Sequence, residues 1–169
     1  GSVQVRERFV RTTMAFSGGA GGVNEALSGR SQIWSAALCM VRGHPINGVG
    51  ARGFRDAYPG CNPSPEQNPV WGEGPALHAH QIVLEILAET GVLGLLLWIA
   101  GAAMALRAWI YSGPQARDRA RPAALALAVT VFPLNTHLAF YSAFWGGLTV
   151  LLAALYAGAL LADSSERSN

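Results

Sequence analysis

The sequence predicts an all-α, polytopic membrane protein, and three observations carry that prediction. Charged side chains make up only 13% of the residues against 51% apolar ones, whereas soluble domains carry nearer a quarter charged. Gly91–Tyr111 supplies 21 residues with a single charge, Arg107, and about 20 apolar residues cross a bilayer core as a helix. Pro122–Ala162 then adds 41 residues without one Asp, Glu, Lys or Arg, too many for one crossing. The length of 169 residues suits one domain. All 12 basic residues are Arg and the net charge is only +2. With no basic, aromatic-interleaved patch, a nucleic-acid surface is excluded.

The chain is organised around Ala76–Leu97, whose first half is amphipathic and holds His78, His80, Glu85 and Glu89. Its second half runs directly into the apolar segment. Taken in order, Gly1-Ser2 reads as a cloning scar, no signal peptide follows it, and the chain is expected to be the C-terminal part of a larger membrane protein. Val3–Thr13, with Arg6, Arg8 and Arg11, suits a short surface helix, and 17–22 a flexible break. The next helix runs from Ser28 to about Arg42. Ile33, Trp34, Ala37, Leu38 and Val41 give it one apolar face, and Gly43 and Pro45 end it.

Gly43–Pro75 reads as a long loop with a short helix near Arg52–Tyr58, and a loop of that length is functional or disordered. Gly91–Tyr111 is the first membrane helix, with Trp109 and Tyr111 suited to an interfacial belt. Ser112–Arg121 is a short loop carrying Arg117, Arg119 and Arg121. Pro133, Asn135, Thr136 and His137 split the long apolar stretch into helices at about 122–136 and 139–162.

Orientation follows from the Arg count. Three Arg in the 112–121 loop put it in the cytoplasm by the positive-inside rule. One crossing away, His78–Glu89 and the bend at Asn135–His137 then share the exported face. Cys39 and Cys61 lack a CxxC spacing, which argues against zinc or redox chemistry. They can pair if both lie in an oxidising exported compartment; the plainer reading, favoured here, is a buried helix Cys39 and an unrelated loop Cys61.

Several residue groups then form an ordered pattern. They are Ser28-Gly29-Arg30, Ile33-Trp34, His44-Pro45-Ile46-Asn47-Gly48-Val49-Gly50, Phe54, His78-Ala79-His80-Gln81, Leu84-Glu85 and Glu89-Thr90-Gly91-Val92-Leu93-Gly94. In order and spacing they resemble the O-antigen ligase/O-antigen polymerase superfamily, in its large periplasmic loop and last membrane helices. Gln81 stands where members usually have Asn, which keeps an amide. The resemblance covers nearly the whole chain from Ser28.

It implies a glycosyltransferase of the bacterial inner membrane with no cofactor and no metal. The donor would be a glycan on undecaprenyl diphosphate. The acceptor would be the lipid A-core oligosaccharide in a ligase, or another glycan in a polymerase or protein O-oligosaccharyltransferase. Apolar length and the Arg count divide the chain into a lead-in (1–22), a periplasmic loop region (23–90), a membrane helix (91–111), a cytoplasmic loop (112–121), two further membrane helices (122–162) and a cytoplasmic tail (163–169). Helices preceding this chain would complete the membrane cavity, so the piece alone is expected to be inactive. In a different class, a non-enzymatic transporter-like membrane protein would need neither a base nor a diphosphate clamp on one exported loop.

Two residues are the catalytic candidates. His80 suits a general base on the acceptor hydroxyl because an unperturbed imidazole titrates near 6.5; the plain alternative is a solvated helix-capping His. Arg30, at a helix start, can grip a diphosphate at two oxygens; the plain alternative is a surface Arg. His78, Gln81, Arg42, Arg52, Arg55 and Glu85 are candidate substrate-binding residues. On a helix, His78 would point away from His80.

Overall fold

The computed structural model describes residues 30–66, 74–136 and 139–166, with side chains as far as Ala162. The surface helix expected at Val3–Thr13, the 17–22 break, Trp71 and His137 lie outside the described residues. Among those described, the order is α1 (Arg30–Gly43), α2 (Phe54–Cys61), α3 (Ile82–Tyr111), α4 (Pro114–Thr130) and α5 (Ala143–Glu166), with no strand. The protein is all-α.

Helices α1 and α2 make a small polar-rimmed layer. Ile33, Ala36, Ala37 and Met40 recur at helical spacing and are buried against Phe54 and Tyr58 of α2. Cys39 and Cys61 are joined by a disulfide across this contact, with their Cα atoms 5.7 Å apart. This corrects the expectation of two unrelated thiols. Neither the fold of α2 back along α1 nor the resulting Cα distance is visible in linear spacing, and that distance is what permits a disulfide.

The long apolar helix α3 is broken once, at Gly91, where φ is 65° and ψ is −163°. A break leaves helix carbonyls and N–H groups without their usual partners, and buried ones must be satisfied elsewhere. Here the 44–50 loop replaces them. Val49 and Gly50 donate their N–H groups to the Ala88 and Glu89 carbonyls at 2.9 Å each. In return the N–H groups of Val92 and Leu93 donate to the Pro45 and Ile46 carbonyls at 2.9 and 3.1 Å. Much of the expected loop is therefore wired into the helix.

Helix α3 begins at Ile82, so His78 and His80 precede it and are not helical as expected. The Gln81 side chain caps it, accepting from the Leu84 N–H at 2.6 Å. That first turn is also held by the chain between α4 and α5. Ile82 donates its N–H to the Asn135 carbonyl at 3.3 Å, and Gln81 Nε2 donates to the Pro133 carbonyl at 2.8 Å.

The expected 112–121 loop is instead mostly helix. Only Ser112 and Gly113 connect α3 to α4, because Pro114 has its φ preset for a first helical position and Arg and Ala favour the helix. Arg117 folds back to cap α3, its guanidinium donating to the Trp109 carbonyl at 2.8 Å and the Ile110 carbonyl at 2.6 Å. Tyr156 of α5 donates to the Ala105 carbonyl at 2.6 Å and stacks on Trp109. Against the three spans expected, two helices among the described residues are long and apolar enough to cross a membrane, Ile82–Tyr111 and Ala143–Ala162. Helix α4 has 17 residues and opens with the Arg-rich turns, so it falls short.

Candidate functional site

The site is built where three pieces of chain converge on the first turns of α3. From α3 come Glu85 and Glu89, four residues apart and hence on one face. They are 1% and 2% exposed, rare burial for carboxylates. From the turn before α2 comes Arg52, with φ at 63°, and from α2 itself comes Arg55. The Arg52 backbone N–H donates to Glu89 Oε2, which anchors that sparsely populated backbone conformation. Both guanidiniums act electrostatically on the Glu89 carboxylate.

The third piece is the 139–142 turn before α5. The Tyr141 N–H donates to Glu85 Oε1 at 3.3 Å, and its hydroxyl lies 2.8 Å from Thr90 Oγ1. Burial raises the Tyr141 phenol above its ordinary 10.0, and the Glu89 and Glu85 charges add to that while the Thr90 hydrogen bond opposes it. Together Arg52, Arg55, His78, Glu85, Glu89 and Tyr141 line a cavity of about 240 Å³.

The two His sit on the irregular segment that leads into α3. Their rings are in contact, centroids 3.9 Å apart, so His78 does not point away from His80. The reason is that the chain from Gly74 to Gln81 is irregular and not helical, with His80 itself in a left-handed conformation, so helical spacing does not set where the two rings point. His80 has φ at 52°, the second non-Gly residue with positive φ among those described. Trp34 of α1 donates Nε1–H to the carbonyl of Ala79, between the two His, at 3.1 Å. Arg30 is one helical turn before Trp34, half-buried at the start of α1.

The sequence-predicted residues thus divide. His78, Arg52, Arg55 and Glu85 meet at the cavity, and His80 touches it through the His78 ring. Gln81 is the cap of α3, Arg42 is exposed at the far end of α1, and Arg30 lies at its near end. Thr90 entered only as part of the Glu89–Gly94 pattern, and Tyr141 was not singled out, since no local signal marks it; only the docking of the 139–142 turn brings Tyr141 here. Among the described residues no group of three His, Cys, Asp or Glu forms a metal cluster.

Chemically the site offers cations for an anionic ligand, imidazoles for a proton, and buried oxygen acceptors beside them. It lies at the start of an apolar helix whose later side chains, such as Leu97 and Met104, are exposed. Compared with known proteins, residues 2–99 match the family described as O-Antigen ligase. No curated protein and no solved structure matches the chain.

Proposed function

The chain belongs to the O-antigen ligase family, and on that premise we propose that it forms part of the active centre of a membrane glycosyltransferase of the ligase type. The family implies lipid-linked glycan and acceptor substrates in a membrane setting. The finer reading is that a glycan moves from undecaprenyl diphosphate to the lipid A-core oligosaccharide at the periplasmic face of the inner membrane, without a metal. The observation that carries it is the meeting of Arg52, Arg55, His78 and two buried Glu in one cavity at the head of α3.

In this reading Arg52 and Arg55, with Arg30, hold the donor diphosphate through charge-assisted hydrogen bonds. His80 takes the proton of the acceptor hydroxyl, and the freed oxygen attacks the anomeric carbon of the donor glycan. A carbon–oxygen bond forms there as the bond to the diphosphate breaks. The lipid diphosphate leaves with that electron pair, its growing charge met by the guanidiniums. His78, on the cavity wall, orients the His80 ring.

Two independent features support the exported orientation. The Arg residues of the first turns of α4 favour the cytoplasm, and a disulfide between α1 and α2 suits an oxidising compartment. The glycan phenotype of a deletion strain tests the reaction. Core lipid without attached polymer is the outcome expected of a ligase; single repeats on the core would replace this reading with a polymerase.

A further inference from the structure

The cavity is lined by two chemically different sets of groups, and the proposed mechanism uses only the cationic one. The other set comes from α3 and the 139–142 turn. Thr90 carries one hydroxyl hydrogen, and it donates that hydrogen to the Ile86 carbonyl at 2.8 Å. The 2.8 Å contact between Thr90 and Tyr141 therefore takes its hydrogen from Tyr141. With its only hydrogen committed, Tyr141 Oη has nothing but lone pairs left for a ligand. Glu85 presents the same character. Its Oε1 accepts from the Tyr141 N–H and the Phe140 N–H also acts on the carboxylate, while Oε2 is buried without a hydrogen bond of regular geometry among the described residues, in a side chain 1% exposed. A buried acceptor left unsatisfied is costly, and a ligand hydroxyl that reaches it removes that cost.

We propose that Glu85 Oε2 and Tyr141 Oη form a hydroxyl-receiving subsite that binds the acceptor saccharide, in the cavity that Arg52 and Arg55 also line. Two acceptor oxygens favour a ligand that donates over the donor's diphosphate diester, which carries no proton at neutral pH. The sugar hydroxyl meets these oxygens while the diphosphate meets the guanidiniums. The subsite deepens the transferase reading and rests on it. Tyr141 lies beyond the residues 2–99 matched by the family, so selection of the acceptor is supplied from a part of the chain that the match does not cover.

The test uses the full-length protein in detergent, with two saccharide probes freed from lipid: the core oligosaccharide and the repeat-unit oligosaccharide. Glu85→Gln keeps the shape and the oxygen that accepts from the Tyr141 N–H; Tyr141→Phe keeps the ring. Wild type should bind at least one probe in saturation-transfer NMR. Each variant should bind it at least fivefold more weakly, with melting temperature within about 2 °C and the KM for the lipid-linked donor unchanged. Absence of binding by wild type, or equal binding by all three proteins, overturns the subsite. So does a parallel rise in donor and acceptor KM with a lower melting temperature, which is what a merely structural role predicts. Saccharide binding that the variants lose, in a protein with no transfer activity, removes the transferase reading and leaves the subsite standing.

Discussion

Gly91 and Ile46 approach so closely that a Cβ on Gly91 would fall on the Ile46 carbonyl. That carbonyl is the one accepting the Leu93 N–H across the break in α3. Gly91→Ala therefore meets two penalties at once, a backbone conformation reserved for Gly and the loss of the loop that repairs the helix. The expected destabilisation is about 3 kcal/mol or more, read as a fall in melting temperature of the purified protein of about 6 °C or more. A variant melting within 2 °C of wild type would show that the loop and helix are not coupled there.

The Cys39–Cys61 disulfide closes a loop with a sequence separation of 22, a constraint worth about 3 kcal/mol by chain entropy. Cys39→Ser with Cys61→Ser should lower the melting temperature and loosen α2 from α1. Protein from cells that export it normally should carry no thiol titratable by a maleimide reagent after denaturation. Finding two such thiols would remove the pairing, and with it one support for the exported orientation.

Arg30→Ala and Arg30→Lys should both impair transfer strongly, since Lys brings a point charge where a two-pronged donor is needed. The basis is Arg30 at the start of α1, one turn from the Trp34 that bonds the Ala79 carbonyl between the two His. Transfer rates at matched expression are the measurement. Near-normal rates in the Ala variant would return Arg30 to an ordinary surface role.

The phenol of Tyr141 has its folded pKa raised above the unfolded 10.0, chiefly by burial. A raised folded value gives stability that is fully present below the unfolded pKa and lost as pH rises through the folded one. Melting temperature should thus hold level to about pH 10 and fall beyond it. Tyr141→Phe should make that alkaline fall shallower. An unchanged alkaline slope would mean the phenol is not buried as described.

The all-α class, the positions of α1 and α3 and most of the cavity residues were legible in the sequence, because helical periodicity and apolar length are local signals. What escaped was set by tertiary contact. His78 and His80 looked helical beside Ala76 and Ala79, yet the Trp34 indole bonds the Ala79 carbonyl and the Gln81 amide starts the helix only after them. Ser112–Arg121 looked like a polar loop, yet Arg117 has the carbonyls at the end of α3 to satisfy. Tyr141 stands in an apolar stretch with no motif. Asn135 and Pro133 of the same stretch bond to the head of α3, a tertiary contact that no local pattern announces.

The mechanism rests on His80. If it is the base, His80→Ala should lose transfer by roughly 10²–10⁴-fold, the usual share of general-base catalysis. Donor binding should largely survive, and the pH profile should lose its limb near neutrality. His78 enters differently: sequence spacing alone made its loss mild, but its ring contact with His80 and its place on the cavity wall raise the expected cost of His78→Ala to about tenfold or more, because a base held loosely loses its alignment. The measurement is the transfer rate against pH for both variants, with donor binding determined separately. A His80→Ala protein as active as wild type would remove the base from this position. One that loses donor binding in step with activity would make His80 a diphosphate ligand, leaving His78, which lines the same cavity as Arg52 and Arg55, as the group that takes the proton.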